Sequence, residues 1–131
     1  MVMRPDFAAI ERALTQHDFD AFAALSGDDN PIHVDPEFSA RTSFGRTVSH
    51  GMLLYTVLRG LTEKLVPGAR QLTQELMFPA PAFADEPIRF EARVESEHDG
   101  VAEISVCATR VVDETCVCEG KCSLAIGERA S

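Results

Sequence analysis

The longest regular pattern in this sequence is an apolar stripe near its middle. Counted from Leu54, apolar side chains recur three, four, seven and eleven residues later, which is the spacing of one face of an α-helix. The stripe consists of Leu54, Val57, Leu58, Leu61 and Leu65. Pro67 and Gly68 follow, and neither residue type continues a helix well. The pattern therefore predicts one long helix over residues 50–65 with one face to bury.

The second half of the chain has a period of two instead. In residues 88–95, "IRFEARVE", apolar and charged side chains alternate, which is typical of a half-buried strand. Further strands are predicted over residues 72–78, 101–112 and 116–126. His98-Asp99-Gly100 is a hairpin signal, and a second turn is expected around Asp113-Glu114. Helices followed by four antiparallel strands indicate an α+β fold in which the sheet packs on the long helix.

The segments before the long helix carry helix-capping signals. Thr15 and Asp18 form a capping-box pattern with Asp in place of Glu, so a helix is predicted over residues 16–26 and ended by Gly27. Asp35 followed by proline predicts a second, short helix over residues 36–41. Residues 8–14 are predicted as an edge strand, and one extra strand from the N-terminal region or from residues 70–78 would complete the sheet.

Composition limits the classes of function. With 131 residues and 45% hydrophobic content, the chain fits a single domain over residues 1–131. The net charge of −9 and the lack of a basic run argue against nucleic-acid binding. No apolar stretch reaches membrane-spanning length, and charges interrupt the N-terminal segment where a signal peptide would need an apolar core. We therefore expect a cytoplasmic protein without a membrane partner.

The cysteines invite a metal-binding interpretation, but strand geometry disfavours it. Cys116, Cys118 and Cys122 would share one face of a strand with Leu124 and Ile126. Same-face positions lie about 6.6 Å apart along a strand, whereas zinc needs sulfurs at about 2.3 Å from one ion. We predict that these cysteines and Cys107 are small core side chains, and we predict no metal site.

The stretch "SGDDNPIHVD", residues 26–35, concentrates groups that handle protons. Asp28 and His33 are five residues apart, so a regular helix or strand would direct them apart. Asn30-Pro31 supplies a turn that could bring both around one water molecule. His50-Gly51 begins the predicted long helix, where backbone N–H groups favour developing negative charge. From the residues alone, a polar surface loop with a structural histidine is an equally open interpretation.

The combination resembles a known family. "FAALSGDDNPIHVDPEFSA" followed by "FGRTVSHGML" is similar to the hydratase signature of MaoC-like, (R)-specific enoyl-CoA hydratases, and the resemblance covers residues 15–126. The matching positions are Phe22, Leu25, Ser26, Gly27, Asp28, Asn30, Pro31, Ile32, His33, Asp35, His50, Gly51 and Met52. In one departure, "FPAPAFADEP" lacks the Gly-Asp that many members carry after the central Phe-x-x-Pro strand.

The resemblance implies a hot-dog fold, an antiparallel sheet wrapped around a long central helix, and a homodimer. It also implies a hydro-lyase that reversibly hydrates trans-2-enoyl-CoA to (3R)-3-hydroxyacyl-CoA and needs no cofactor beyond the coenzyme A thioester of its substrate. Asp28 and His33 would be catalytic, the Gly51 N–H would hold the thioester oxygen, and Asn30 would orient the loop or the water. His50 is expected to be a structural residue at the helix start.

Other functions remain open at this point. The same chemistry could act as a dehydratase on an acyl carrier protein or on a branched dicarboxyl-CoA. A hot-dog thioesterase is a rival enzyme that would not need Asp28 and His33 at this spacing. A non-catalytic acyl-binding subunit is the alternative from another class, although such subunits tend to lose this pair.

Overall fold

The computed structural model describes residues 5–126, and its architecture is α+β, as predicted. In chain order the elements are β1 (Phe7–Ala13), α1 (Gln16–Ser26), α2 (Pro31–Val34), α3 (Pro36–Ala40), α4 (Gly51–Leu65), β2 (Arg70–Met77), β3 (Pro87–His98), β4 (Val101–Arg110) and β5 (Thr115–Ala125). The strands form one antiparallel sheet in the order β1-β3-β4-β5-β2. The ends of the predicted domain, residues 1–4 and 127–131, lie outside the described residues.

The long helix α4 lies against the sheet through the predicted stripe. Its buried side chains include Leu54, Leu58, Leu61 and Leu65, whereas Val57 is partly buried at the margin of the same core. The alternate residues Ile88, Phe90 and Ala92 of β3 are buried in that core. Among residues 5–126, none of the helices has both the length and the apolar character needed to cross a membrane.

Two predicted features of the sheet are confirmed. The edge strand expected near residues 8–14 is β1, which pairs with β3. The hairpin between β3 and β4 turns at Asp99 and Gly100, both at positive φ. With β1 added to the four strands of the second half, the described sheet has five strands.

The caps predicted for the early helices are present. The Thr15 hydroxyl accepts a bond from the Asp18 N–H, and the Asp18 carboxylate accepts one from the Thr15 N–H, so the capping box is reciprocal. Gly27 ends α1 at φ 85°, in the left-handed region. The Asp35 carboxylate accepts from the Phe38 N–H and begins α3. These caps fix both ends of the segment that contains Asp28 and His33.

The prediction that all four cysteines are core side chains is half wrong. Cys118 and Cys122 are buried in the core, and burial raises the pKa of the Cys118 thiol to about 12. Cys116 and Cys107 are only half-buried.

A bulge in β5 explains the position of Cys116. Cys118 pairs with Ala108 and Cys116 with Thr109, so β5 carries one extra residue at this point. That bulge rotates Cys116 away from the face of Cys118, because side chains alternate from one face to the other. Cys107 alternates with the buried Val106 and Ala108 and faces the other side of the sheet.

Candidate active site

A pocket of about 500 Å³ lies between the 26–35 segment, the N-terminus of α4 and the segment after β2. Its lining is mostly apolar, and Asp28, His33 and His50 are the ionisable groups in it. The apolar side chains of Phe44, Met52 and Phe78 line it while remaining substantially exposed. The pocket therefore offers an apolar space with a few polar groups at one end, which is typical of a small-molecule site.

The structure brings Asp28 and His33 together, as the turn hypothesis required. The turn is helical: Asn30 caps the four-residue helix α2, and its side-chain oxygen accepts the Ile32 N–H at 3.1 Å. The carboxylate oxygen Oδ2 of Asp28 lies 3.8 Å from Nε2 of His33. The Asp28 side chain is 57% exposed and that of His33 only 11%. A water molecule can therefore reach the carboxylate from the pocket.

The structure places Asn30 at the start of α2. Its side chain holds the first turn of α2, and it is not among the residues that line the pocket. Pro31 takes the first helical position, where its missing N–H costs nothing. A direct contact between Asn30 and the substrate stays a prediction.

The ring of His33 is fixed in one orientation. Its Nδ1–H donates to the backbone oxygen of Val48 at 2.8 Å, since a carbonyl oxygen can only accept. In the neutral ring Nε2 is therefore unprotonated, and this nitrogen faces Asp28. The Val48 N–H in turn donates to the Ile32 oxygen at 2.9 Å. This pair of bonds joins α2 to the segment that leads into α4.

Two polar residues that the sequence analysis missed support this arrangement. The side-chain amide of Gln16 donates to the backbone oxygen of His33 at 2.8 Å. The buried hydroxyl of Thr47 donates to the Gln16 side-chain oxygen at 2.7 Å. Gln16 thus joins the start of α1 to both segments of the site. No local pattern marks it, because its partners lie in distant parts of the sequence.

Gly51 is the first residue of α4 and lines the pocket. Within the described residues, the N–H groups of Gly51 and Met52 have no acceptor, as expected for the first turn of a helix. A Cβ atom at Gly51 would lie 2.8 to 3.1 Å from three carbon atoms of the Phe78 ring. A side chain at position 51 would therefore displace the Phe78 ring, which packs on the helix start beside donors that favour an anionic oxygen.

His50 lies at the start of α4, as expected, but its side chain contacts other parts of the site. It precedes α4, but its side chain makes no capping bond to that helix. The residue is 2% exposed, and its ring stacks on His33 with centroids 3.9 Å apart and 24° between the planes. Its Nε2–H donates to the backbone oxygen of Asp28 at 2.9 Å. Burial lowers the pKa of His50 below its usual value, and the neighbouring His33 lowers it further. The hydrogen bond to the Asp28 backbone opposes this shift.

Asp28, His33 and His50 also place three possible metal ligands within 4.8 Å of one another. Two imidazoles that bind one ion direct their in-plane lone pairs at the same point, about 2.0–2.1 Å from each nitrogen. The stacked rings of His33 and His50 are nearly parallel, so their lone pairs do not converge. The arrangement fits an acid–base site better than a metal centre.

Curated proteins that are similar to this chain are named as hydratases and dehydratases. An (R)-specific enoyl-CoA hydratase from Aeromonas caviae is 45% identical over 76 residues, which are 56% of this chain and 57% of that protein. A 3-hydroxybutyryl-CoA dehydratase from Methylorubrum extorquens is 38% identical over 78 residues, covering 55% of this chain and 47% of that protein. The aligned part of the chain thus spans about half the length of these curated relatives.

Solved structures and a family model extend the match to nearly the whole chain. The structure of an (R)-hydratase from A. caviae involved in PHA biosynthesis superposes with a TM-score of 0.88 and 29% identity, covering 95% of this chain and 97% of that one. The predicted hot-dog fold is thereby confirmed. The family model described as "MaoC like domain" matches residues 4–129. The chain therefore belongs to the MaoC-like domain family of hydratases and dehydratases.

Proposed function

We propose that the protein is an (R)-specific enoyl-CoA hydratase, a hydro-lyase that reversibly converts trans-2-enoyl-CoA to (3R)-3-hydroxyacyl-CoA. The observation that carries the proposal is the 3.8 Å separation of Asp28 and His33 at the polar end of an apolar pocket. The A. caviae relative, whose name states this activity, supports the choice of substrate and stereochemistry. The reaction would belong to fatty acid metabolism.

Asp28 and His33 would hold the reacting water between them. A water at hydrogen-bonding distance of about 2.8 Å from each can donate one proton to the carboxylate and one to Nε2. One of the two groups removes a proton as the water oxygen bonds to C3 and the C2=C3 π bond opens. A proton is then delivered to C2, so the pair ends as it began. Because both groups would contact the same water, we assign the proton transfers to the pair.

The Gly51 N–H would hold the thioester oxygen while enolate charge develops on it. The donor lies in the first turn of α4, where the helix dipole adds a favourable field. Asn30 would keep α2 in place and so set the reach of His33. Addition of water changes no oxidation state overall, and the acid–base pair moves the protons, so we propose that no cofactor is required.

The acyl chain would lie along the apolar wall of the pocket. Phe44, Met52 and Phe78 leave large apolar surfaces exposed there, and exposed apolar patches of this kind mark binding or association surfaces. We propose that the protein works as a homodimer, as the family resemblance implies. We also place it in the cytoplasm, where its four free cysteines would stay reduced.

A second candidate differs in cargo and preferred direction. The M. extorquens relative is named as a 3-hydroxybutyryl-CoA dehydratase, which runs the same chemistry toward loss of water. The same site could therefore act on a short 3-hydroxyacyl-CoA or on an acyl group carried by another thioester. A thioesterase or a binding subunit is less well supported, since neither requires the Asp28–His33 pair.

One assay separates these candidates. Purified protein is incubated with crotonyl-CoA and with longer trans-2-enoyl-CoAs, the product is resolved by chiral chromatography, and free thiol is measured in parallel. The proposal expects the (3R)-3-hydroxyacyl-CoA without thiol release. Thiol release would indicate a thioesterase, the (3S) product would contradict the stereochemistry, and no turnover of any enoyl-CoA or 3-hydroxyacyl-CoA would favour a binding subunit.

A further inference from the structure

The carboxylate of Asp28 has little to hold it in place. Its side chain is more than half exposed, and its described polar contact is the 3.8 Å approach to His33, which is too long for a direct hydrogen bond. Its position must therefore come from its backbone. The Asp28 N–H donates to the Ser26 hydroxyl at 3.1 Å, and its C=O accepts the Nε2–H of His50 at 2.9 Å.

The ring that makes this second bond is itself immobilised. It is stacked on His33 at 3.9 Å, and the rings of Phe19 and Phe22 meet it edge-on at 6.4 and 4.9 Å. With Nε2 protonated, the neutral ring carries a lone pair on Nδ1, and this buried atom has no hydrogen-bond partner among the described residues. Because no acceptor faces Nδ1, protonating His50 would bury an unpaired N–H and a charge. The ring is thus confined to the neutral Nε2–H form.

From this arrangement we propose that His50 is a positioning residue, which sets the distance between the Asp28 carboxylate and the His33 imidazole. One face of its ring supports His33, its Nε2–H holds the Asp28 backbone, and its own backbone leads directly into Gly51. It thereby ties together the three groups that the proposed hydration uses. His50 exchanges no proton with the substrate, because its Nε2–H donates to a carbonyl oxygen and its Nδ1 is buried.

This inference rests on the proposed function, and its test uses three variants. His50→Leu fills much of the space but loses the hydrogen bond. His50→Gln keeps an N–H donor at a similar distance from its Cα. Phe22→Leu is the packing control, because it alters a ring contact to His50 and leaves the hydrogen bond in place.

We expect His50→Leu to fold and to lose about 10- to 100-fold in kcat with little change in KM, the usual range for groups that orient reacting residues. His50→Gln should recover most of the loss, and Phe22→Leu, which loosens the ring but keeps the hydrogen bond, should lose less kcat than His50→Leu. Full kcat in folded His50→Leu, or equal losses in the Leu and Gln variants, would overturn the inference.

A measurement without substrate keeps the test decisive if His50→Leu does not fold. Proton–nitrogen NMR of the wild-type protein should show His50 as the Nε2–H tautomer, and an Nδ1–H tautomer or a protonated ring at neutral pH would rule the role out. A wild-type protein that has this tautomer but hydrates no enoyl-CoA contradicts the proposed function. An active wild-type protein with an unaffected His50→Leu variant contradicts the positioning role alone.

Discussion

The Asp28 carboxylate and the His33 imidazole face each other across 3.8 Å, from the two sides of a single proline-led helical turn. That gap is too wide for a direct hydrogen bond and suits one shared water. The buried partner, His33, is fixed by Val48, while the exposed partner, Asp28, reaches into solvent. The geometry therefore combines a rigid imidazole with a carboxylate whose charge can be removed without disturbing the core.

Asp28→Asn keeps the size of the side chain and removes its charge. We expect kcat for enoyl-CoA hydration to fall by about 10²–10⁴-fold, the usual contribution of a general acid–base group. The matched control is Asp29→Asn, since Asp29 is an exposed neighbour that does not line the pocket. Near-normal hydration by Asp28→Asn, or an equal loss in Asp29→Asn, would contradict the assignment.

His33→Ala should lower kcat over the same range but should also weaken the fold. The Val48 carbonyl loses its donor, and leaving such a buried acceptor unpaired costs about 1–3 kcal/mol. Denaturant unfolding and steady-state kinetics measured on the same preparation separate the two effects. A variant that loses stability but keeps its kcat would assign His33 a purely structural role.

The two glycines of α4 should respond oppositely to alanine. At Gly51 a Cβ would lie 2.8 Å from the Phe78 ring, so Gly51→Ala must displace the ring and should lower kcat/KM by about tenfold or more. At Gly60 an added Cβ would meet nothing within 4 Å beyond the adjacent backbone of its own helix, so Gly60→Ala should stabilise the helix by about 1 kcal/mol and leave activity unchanged. Adding Phe78→Ala to Gly51→Ala should recover any stability lost to the clash; no recovery would mean that the clash is not the cause.

Local chemistry was enough to predict most of the fold. The stripe of α4 and the alternation of β3 each bury one face of a regular element, so their periods reveal them directly. The turn at Asp99-Gly100 and the Thr15–Asp18 capping box depend on residues within one turn of each other. Such features are encoded by neighbours in sequence.

The features that the sequence did not reveal depend on contacts between distant segments. Helix α2 has four residues, too few to show a period, and the bulge that turns Cys116 outward depends on its register against β4. The part played by His50 arises only when α1, α2 and the start of α4 meet around one ring. The signature includes His50 and Asn30, but their contacts are seen only in the structure, and Gln16 lies outside the signature.

Acid should destabilise the protein through His50. The folded-state pKa of His50 lies below the usual value of 6.5, mainly because the side chain is buried. Below pH 6.5 the unfolded chain therefore binds more protons at this residue than the native state does. Stability is therefore complete above about pH 6.5 and falls as the pH drops toward the folded-state pKa. Asp28 and His33 are the ionisable groups that face the ring, and Phe19 and Phe22 add no charge.

The test compares the free energy of unfolding of the wild-type protein and His50→Gln across this range. The glutamine does not titrate, whereas Asp28 and His33 are present in both proteins, so the difference isolates His50. We expect a shallower loss of stability in acid for His50→Gln. Identical slopes in the two proteins would show that the buried histidine does not determine the acid sensitivity.

Asp85 lies in "FPAPAFADEP", the segment that lacks the glycine many family members carry, and substitutions at this position test its backbone conformation. It adopts φ 66°, in the left-handed region, while its N–H donates to the Leu14 oxygen at 2.7 Å. A residue with a Cβ is strained by roughly 1–2 kcal/mol in this region, and Asp is strained less than most residues. Glycine avoids this strain, but its greater entropy in the unfolded chain costs about 0.5–1 kcal/mol of the gain. Asp85→Gly should therefore raise the free energy of unfolding by up to about 1 kcal/mol, whereas Asp85→Ala, which keeps a Cβ but tolerates this region worse than Asp, should lower it. Urea denaturation of both variants checks the signs, and a shift in the same direction would mean that loss of the carboxylate, and not backbone strain, governs this position.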